Sequence, residues 1–183
     1  MAYLSLEEIV KDCEAKKIPF FRLVMEDDMQ ERGVSEKDSR TQMVKLWQAM
    51  RDAAKNYDAN ERSTSGLVGG AGGRMEEYRR NEEPLCGTFV SRVIAEGLEM
   101  GGWNACMKRI VAAPTAGACG VLPAVLVPFF EEHETEENVI LEALYTAAGI
   151  GQVIAARAYI AGASGGCQAE IGTASAMAAG ALV

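Results

Sequence analysis

The chain has 183 residues, a length that suits one domain around one core, and its 49% hydrophobic and 24% charged content is that of an ordinary globular protein. The formal net charge of −8 is the wrong sign for neutralising nucleic-acid phosphates or adhering to an anionic membrane. Aromatic residues are few (7%) and glycines many (19), so burial has to come from backbones that approach closely, which packed helices allow.

Residues 1–60 are charged and helix-patterned. The opening residues lack a basic segment before an apolar one, so no export signal is read there. Leu6, Ile9, Val10 and Cys13 recur at helical spacing behind Ser5, a suitable N-cap. Pro19 interrupts, Phe20 opens a second helix, and Gly33 ends it. Ser35 then caps a third helix whose Met43, Val44, Trp47, Met50, Ala53 and Ala54 share one face, as plain core packing requires.

Residues 58–84 break this pattern. From Asp58 to Gly73 the chain is too rich in Gly, Ser and Asn for a long helix, and reads either as a surface loop or as backbone that approaches a ligand. From residue 85 onward the chain is apolar with small side chains. Helices are predicted at about 86–101, 119–131, 136–149, 150–162 and 167–183. No run alternates clearly between apolar and polar residues. The fold class expected is therefore all-α, a single multi-helix domain over residues 1–183 with Ala and Gly at the helix contacts. The stretch 139–163 is long enough to span a bilayer, but it carries Glu142, Gln152 and Arg157 and lacks basic flanks, so a buried helical hairpin is the better reading. The acids of 131–137 read as a solvated loop.

Chemistry concentrates in two stretches: Ala113-Pro114-Thr115-Ala116-Gly117-Ala118-Cys119-Gly120-Val121-Leu122-Pro123 and Gly162-Ala163-Ser164-Gly165-Gly166-Cys167-Gln168-Ala169-Glu170-Ile171-Gly172. Each places one cysteine after small residues, where a helix is predicted to begin. Unpaired N–H groups at a helix start favour an anion there, and the small neighbours leave room beside the sulfur. Such a thiolate suits a soft metal or an iron–sulfur cluster, although each cysteine taken alone reads as readily as a buried inert thiol. Cys13 and Cys106 fall in helical patterns and read as core, and Cys86 stands at a predicted helix start. The spacing matches neither a zinc finger nor Cys-x-x-Cys. The single histidine, His133, lies among acids and is expected to face solvent, which leaves no Ser-His or Cys-His pair. The glycines at 69–73 are not followed by Lys-Ser/Thr, so phosphate cradling is a weak reading.

Together with Ser65-Gly66-Leu67-Val68-Gly69-Gly70 and Cys86-Gly87-Thr88-Phe89-Val90-Ser91-Arg92-Val93, these two stretches resemble signature segments of the iron–sulfur-dependent bacterial L-serine dehydratases. The resemblance covers nearly the whole chain, most specifically from about residue 63. It implies a largely helical α part that binds a [4Fe–4S] cluster through three cysteines, conversion of L-serine to pyruvate and ammonia without pyridoxal phosphate, a β chain or domain as partner, oligomeric assembly, and a cytoplasmic location. Carried over by motif, Cys119 and Cys167 are two of the metal ligands. The N–H groups of Ser63, Thr64, Ser65 and Gly66, and of Thr115, Ala116 and Gly117, are candidates for the serine carboxylate.

The third ligand has no motif match: where some members place a cysteine, this chain has Ser175. The apolar run 173–183 ends without a cap or polar tail, so the expectation is a domain incomplete at its C-terminus, without a cluster and inactive alone. Glu170 is the one acid inside a cysteine motif, and either a structural or a catalytic role suits it. The rival readings are a related iron–sulfur cysteine desulfidase, a pyridoxal-phosphate dehydratase, for which Lys108 has the wrong, helical context, and a non-catalytic helical partner-binding module.

Overall fold

A computed structural model describes residues 3–183, and among them every regular element is helical. Nine α-helices occur in these residues: α1 (Leu6–Lys16), α2 (Phe20–Arg32), α3 (Glu36–Lys55), α4 (Ala71–Asn81), α5 (Thr88–Ala105), α6 (Val121–Glu132), α7 (Glu137–Arg157), α8 (Gly162–Gly165) and α9 (Cys167–Ala181). They fall into two compact units. One comprises Met1–Trp47 with Glu136–Val183, and the other is the continuous stretch Gln48–Thr135.

The helix ends follow the sequence. Ser5 Oγ accepts from the Glu8 N–H (3.2 Å) while the Glu8 carboxylate accepts from the Leu4 N–H (2.9 Å), a reciprocal cap that satisfies two donors. Gly33 ends α2 in the left-handed region at φ 64°, where a side chain would be strained. Ser35 Oγ accepts from the Asp38 N–H at the start of α3 (3.2 Å).

In the first unit, α7 packs against α2 and α9. Ile9, Leu23 and Val153 form one buried cluster, and Val24, Met25 and Tyr145 another. Two long-range polar contacts fix their register. The Ser39 hydroxyl lies 2.6 Å from Asp28 and 2.7 Å from the Tyr145 hydroxyl, and Gln152 Nε2 donates to Asp27 (3.2 Å). By length and composition α7 could cross a membrane, but Ile140, Leu141, Leu144, Tyr145, Ala147, Gly149, Gly151 and Val153 are buried within the protein.

The break predicted between 149 and 150 does not occur; α7 runs through it. Its glycines are contact points. A Cβ on Gly149 would lie 2.5 Å from Val24 Cγ2 and 2.9 Å from the Phe20 ring, and one on Gly151 would lie 2.8 Å from Met177 Sδ in α9. Each glycine costs the helix about 1 kcal/mol of propensity, offset by the close approach it permits. The expected hairpin is formed instead by α7 and α9. Helix α4 is a second departure, since it begins inside the glycine run expected to stay irregular. Its Gly72 faces the α5 backbone, where an added Cβ would lie 2.9 Å from Glu99 N and 3.0 Å from Glu99 Cα. Cys86 precedes α5 by two residues and does not open it; Gly87 is the N-cap.

In the second unit, α5 packs between α4 and α6. Leu122, Ala124, Leu126 and Val127 of α6 and Ala95 and Met100 of α5 are buried. Arg92 of α5 pairs with Glu131 and with Glu132 (3.2 Å) at the end of α6, so part of the acidic run is tied down.

Candidate functional site

The two cysteine stretches sit in different units and in different environments. In the second unit, Thr115 leads into a short 3₁₀ turn (Ala116–Ala118), and Cys119 follows it two residues before α6. The turn is seated on α5. Asn104 Nδ2 donates to the Ala116 carbonyl (2.9 Å), and a Cβ on Gly120 would lie 3.1 Å from Met100 Cβ and 3.3 Å from the Gly97 carbonyl. Cys119 is buried, at 3% exposure. In the first unit, Cys167 is the first residue of α9 and is exposed. Gly166 precedes it at φ 81°, and Gly165 lies against Tyr159. The Glu170 carboxylate lies over Gly162, where a Cβ would be 2.7 Å from Oε2.

The serine-rich loop of the second unit closes on itself. The Ser63 N–H donates to the Val68 carbonyl (2.8 Å), the Gly66 N–H to the Ser63 carbonyl (2.7 Å), and Ser63 Oγ accepts from the Val68 N–H (3.1 Å). Two of the four expected donors, the N–H groups of Ser63 and Gly66, are therefore engaged inside the loop, while those of Thr64 and Ser65 lie outside this internal network. Gly69 and Gly70 carry positive φ (144° and 71°) and pack against Arg62. The Lys108 ammonium pairs with Glu61 (2.7 Å) and lies 5.5 Å from the Trp103 ring centre, and the Trp103 indole N–H donates to the Arg109 carbonyl (3.1 Å). These contacts join the segment before the serine loop to the segment after α5, which leads to Cys119.

Among the described residues no disulfide joins any of the five cysteines. Thiols at the starts of α6 and α9 have the donor chemistry a soft metal centre needs. Among the described residues, however, no three Cys, His, Asp or Glu side chains gather into a group able to hold a metal. His133 is exposed, as expected from its acidic surroundings, and rests on the Phe129 ring, with centres 4.6 Å apart.

A model of the family described as serine dehydratase alpha chain matches residues 15–183. This chain belongs to that family. It is similar to the L-serine dehydratase alpha chain of Peptoniphilus asaccharolyticus, 37% identical over 180 residues that cover 98% of this chain and 62% of that protein. The probable L-serine dehydratase alpha chain of Bacillus subtilis (strain 168) is 31% identical over 181 residues, covering 99% of this chain and 60% of that protein. The L-serine dehydratase of Helicobacter pylori (strain ATCC 700392 / 26695) is 32% identical over 195 residues, covering 98% of this chain and 40% of that protein. This chain thus spans about three-fifths of the length of these Peptoniphilus and Bacillus alpha chains.

Sequence reading passed over two acids of α5. Glu96 is 9% exposed with Oε1 buried and without a hydrogen-bond partner among the described residues, and Glu99 is half-buried one turn on. Burial, then the neighbouring Glu99, pushes the Glu96 carboxyl up to about 7, and burial, then Glu76, pushes Glu99 up to about 7. The sequence shows two acids three residues apart in a mostly apolar helix that also carries Arg92, which marks the pair but not its burial. Folding raises both groups above their ordinary value of 4.5, so the folded state holds their protons more tightly than the unfolded one. Their protonated state supports the fold fully below about 4.5, and that support is lost as pH rises through about 7. Urea unfolding is expected to show the chain losing up to about 3 kcal/mol between mildly acidic and mildly alkaline pH, with Glu96→Gln flattening the profile.

Proposed function

We propose that the protein built on this alpha chain is an L-serine ammonia-lyase, which eliminates water from L-serine to give aminoacrylate, whose imine tautomer hydrolyses to pyruvate and ammonia. The observation that carries the reading is the family match over residues 15–183, within which both cysteine motifs fall beside helix starts. Cys119 and Cys167 are two of the thiolates that hold a [4Fe–4S] cluster in the complete protein. When bound, that cluster supplies a Lewis-acidic iron that makes the serine hydroxyl a better leaving group.

The residues of this chain supply binding and orientation. Ser63, Thr64, Ser65 and Gly66 form one wall for the substrate carboxylate, with the Thr64 and Ser65 N–H groups as donors. Thr115, Ala116 and Gly117 form another, at the start of the turn that positions Cys119. The contact of Asn104 with the Ala116 carbonyl and the seat of Gly120 on α5 keep that turn from drifting, so its N–H groups are set before substrate arrives. A β chain or domain completes the enzyme, the assembly is oligomeric, and it works in the cytoplasm without pyridoxal phosphate.

The test is pyruvate formation from L-serine by the complete protein with its β partner, reconstituted anaerobically with iron and sulfide. Pyruvate production that stops on exposure to air is the expected result. A loaded cluster that yields sulfide from L-cysteine and no pyruvate from L-serine would replace the substrate and keep the cluster.

A further inference from the structure

The second unit contains a cavity of about 410 Å³ bounded by α3, α5 and α6. Gln48, Arg51, Asp52 and Lys55 line it from α3, Glu96 from α5, and Val127 and Glu131 from α6. It shares no lining residue with the serine loop or the Cys119 turn, and the proposed lyase reaction makes no use of it.

Its charges are mixed, which restricts what it can hold. Glu96 is the deepest polar group, nine-tenths buried, with Oε1 lacking a hydrogen-bond partner among the described residues. A carboxyl group removed from water without a donor is costly, so a donor entering the cavity would be stabilised there. Glu131 is already engaged by Arg92, which leaves Glu96 and Asp52 as the acids facing a guest. On the same wall as Asp52 stand Lys55 and Arg51, the latter with its guanidinium 4.8 Å from the Phe130 ring centre. A purely cationic guest meets Arg51 and Lys55, and a purely anionic one meets Glu96 and Asp52. A metal ion is disfavoured as well, since among the described residues no three acidic, Cys or His side chains form a group able to hold one. A small molecule with both charges satisfies both sets, and Val127 and Ala54 leave room for a short apolar side chain.

We infer that this cavity is a binding site for a small zwitterion, an α-amino acid, whose ammonium is received by Glu96 and whose carboxylate is received by Lys55. The volume lies at the small end of ligand pockets, in keeping with such a guest. The site is separate from the cysteine motifs and stands whether or not the lyase reading is correct.

Calorimetric titration of the chain with L-alanine, which lacks the leaving group needed for elimination, tests this. One L-alanine per chain is expected, with propionate and ethylamine, each bearing one of the two charges, at least about tenfold weaker. Glu96→Gln and Lys55→Met should each weaken L-alanine by at least about tenfold while far-UV circular dichroism stays unchanged. Cys119→Ala should leave the affinity as it is. Absence of binding up to about 10 mM, equal binding by the single-charge analogues, or unchanged binding in Glu96→Gln would overturn the inference. Should a variant fail to fold, methyl shifts of Ala54 and Val127 in the unaltered chain read the cavity directly, and their staying fixed on addition of L-alanine would overturn it equally.

Discussion

Replacing Cys167 with alanine is expected to lower pyruvate formation by the complete, reconstituted protein more than about a hundredfold, and replacing Cys119 to lower it as far. A lost metal ligand is felt more strongly than a lost outer partner, for which about ten- to a hundredfold is usual. The two variants should differ in stability. Cys167 is exposed at the first position of α9, so its alanine variant keeps its unfolding midpoint while losing iron and the cluster's visible absorbance. Cys119 is 3% exposed, and its alanine variant adds a small cavity that costs about 1 kcal/mol. Cys106, half-buried at the end of α5 and outside both motifs, is the control, and its alanine variant should keep both iron and activity. Full activity in the Cys167 variant would remove that residue from the ligand set.

Two glycines give an expected contrast in stability of opposite sign. Gly72→Ala should destabilise the chain by about 2–3 kcal/mol, because its Cβ meets backbone atoms of Glu99 that cannot swing away. Gly101→Ala, at an exposed position toward the C-terminal end of α5 with nothing within 4 Å of the added atom, should stabilise it by about 0.5–1 kcal/mol through helix propensity alone. Urea midpoints measured side by side decide the matter. Equal shifts in the two variants would show that α4 and α5 do not approach as closely as described.

The contrast also explains what the sequence could and could not reveal. Ser5, Gly33 and Ser35 act locally, so their capping roles are readable from neighbouring residues, and the structure places the helix ends where they predict. Gly72, Gly149 and Gly151 look like the same residue type in the same kind of run. Their meaning depends on partners far along the chain, namely Glu99 for Gly72, Val24 and Phe20 for Gly149, and Met177 for Gly151. Read locally, they predicted irregular chain near 72 and a break near 150, yet α4 begins at Ala71 and α7 runs through. The cysteine motifs were legible because short segments agree in order with a family pattern, and the match over residues 15–183 supports that recognition. The buried state of Glu96 was not legible, since an acid on an apolar helix looks the same whether it faces solvent or a cavity.

The order of the chain through its two units bears on how the protein is made. Gln48–Thr135 is one continuous stretch, so its internal contacts become available as soon as Thr135 has left the ribosome. The other unit is assembled from both ends. The Ser39 and Tyr145 hydroxyls meet across 106 positions, and Gln152 reaches Asp27 across 125. Until α7 and α9 emerge, α1 and α2 hold apolar faces without their final cover, Leu23, Val24 and Met25 among them. The stretch Gln48–Thr135 is thus free to fold before the two segments that flank it have met, and α1 and α2 wait for their cover until α7 and α9 follow.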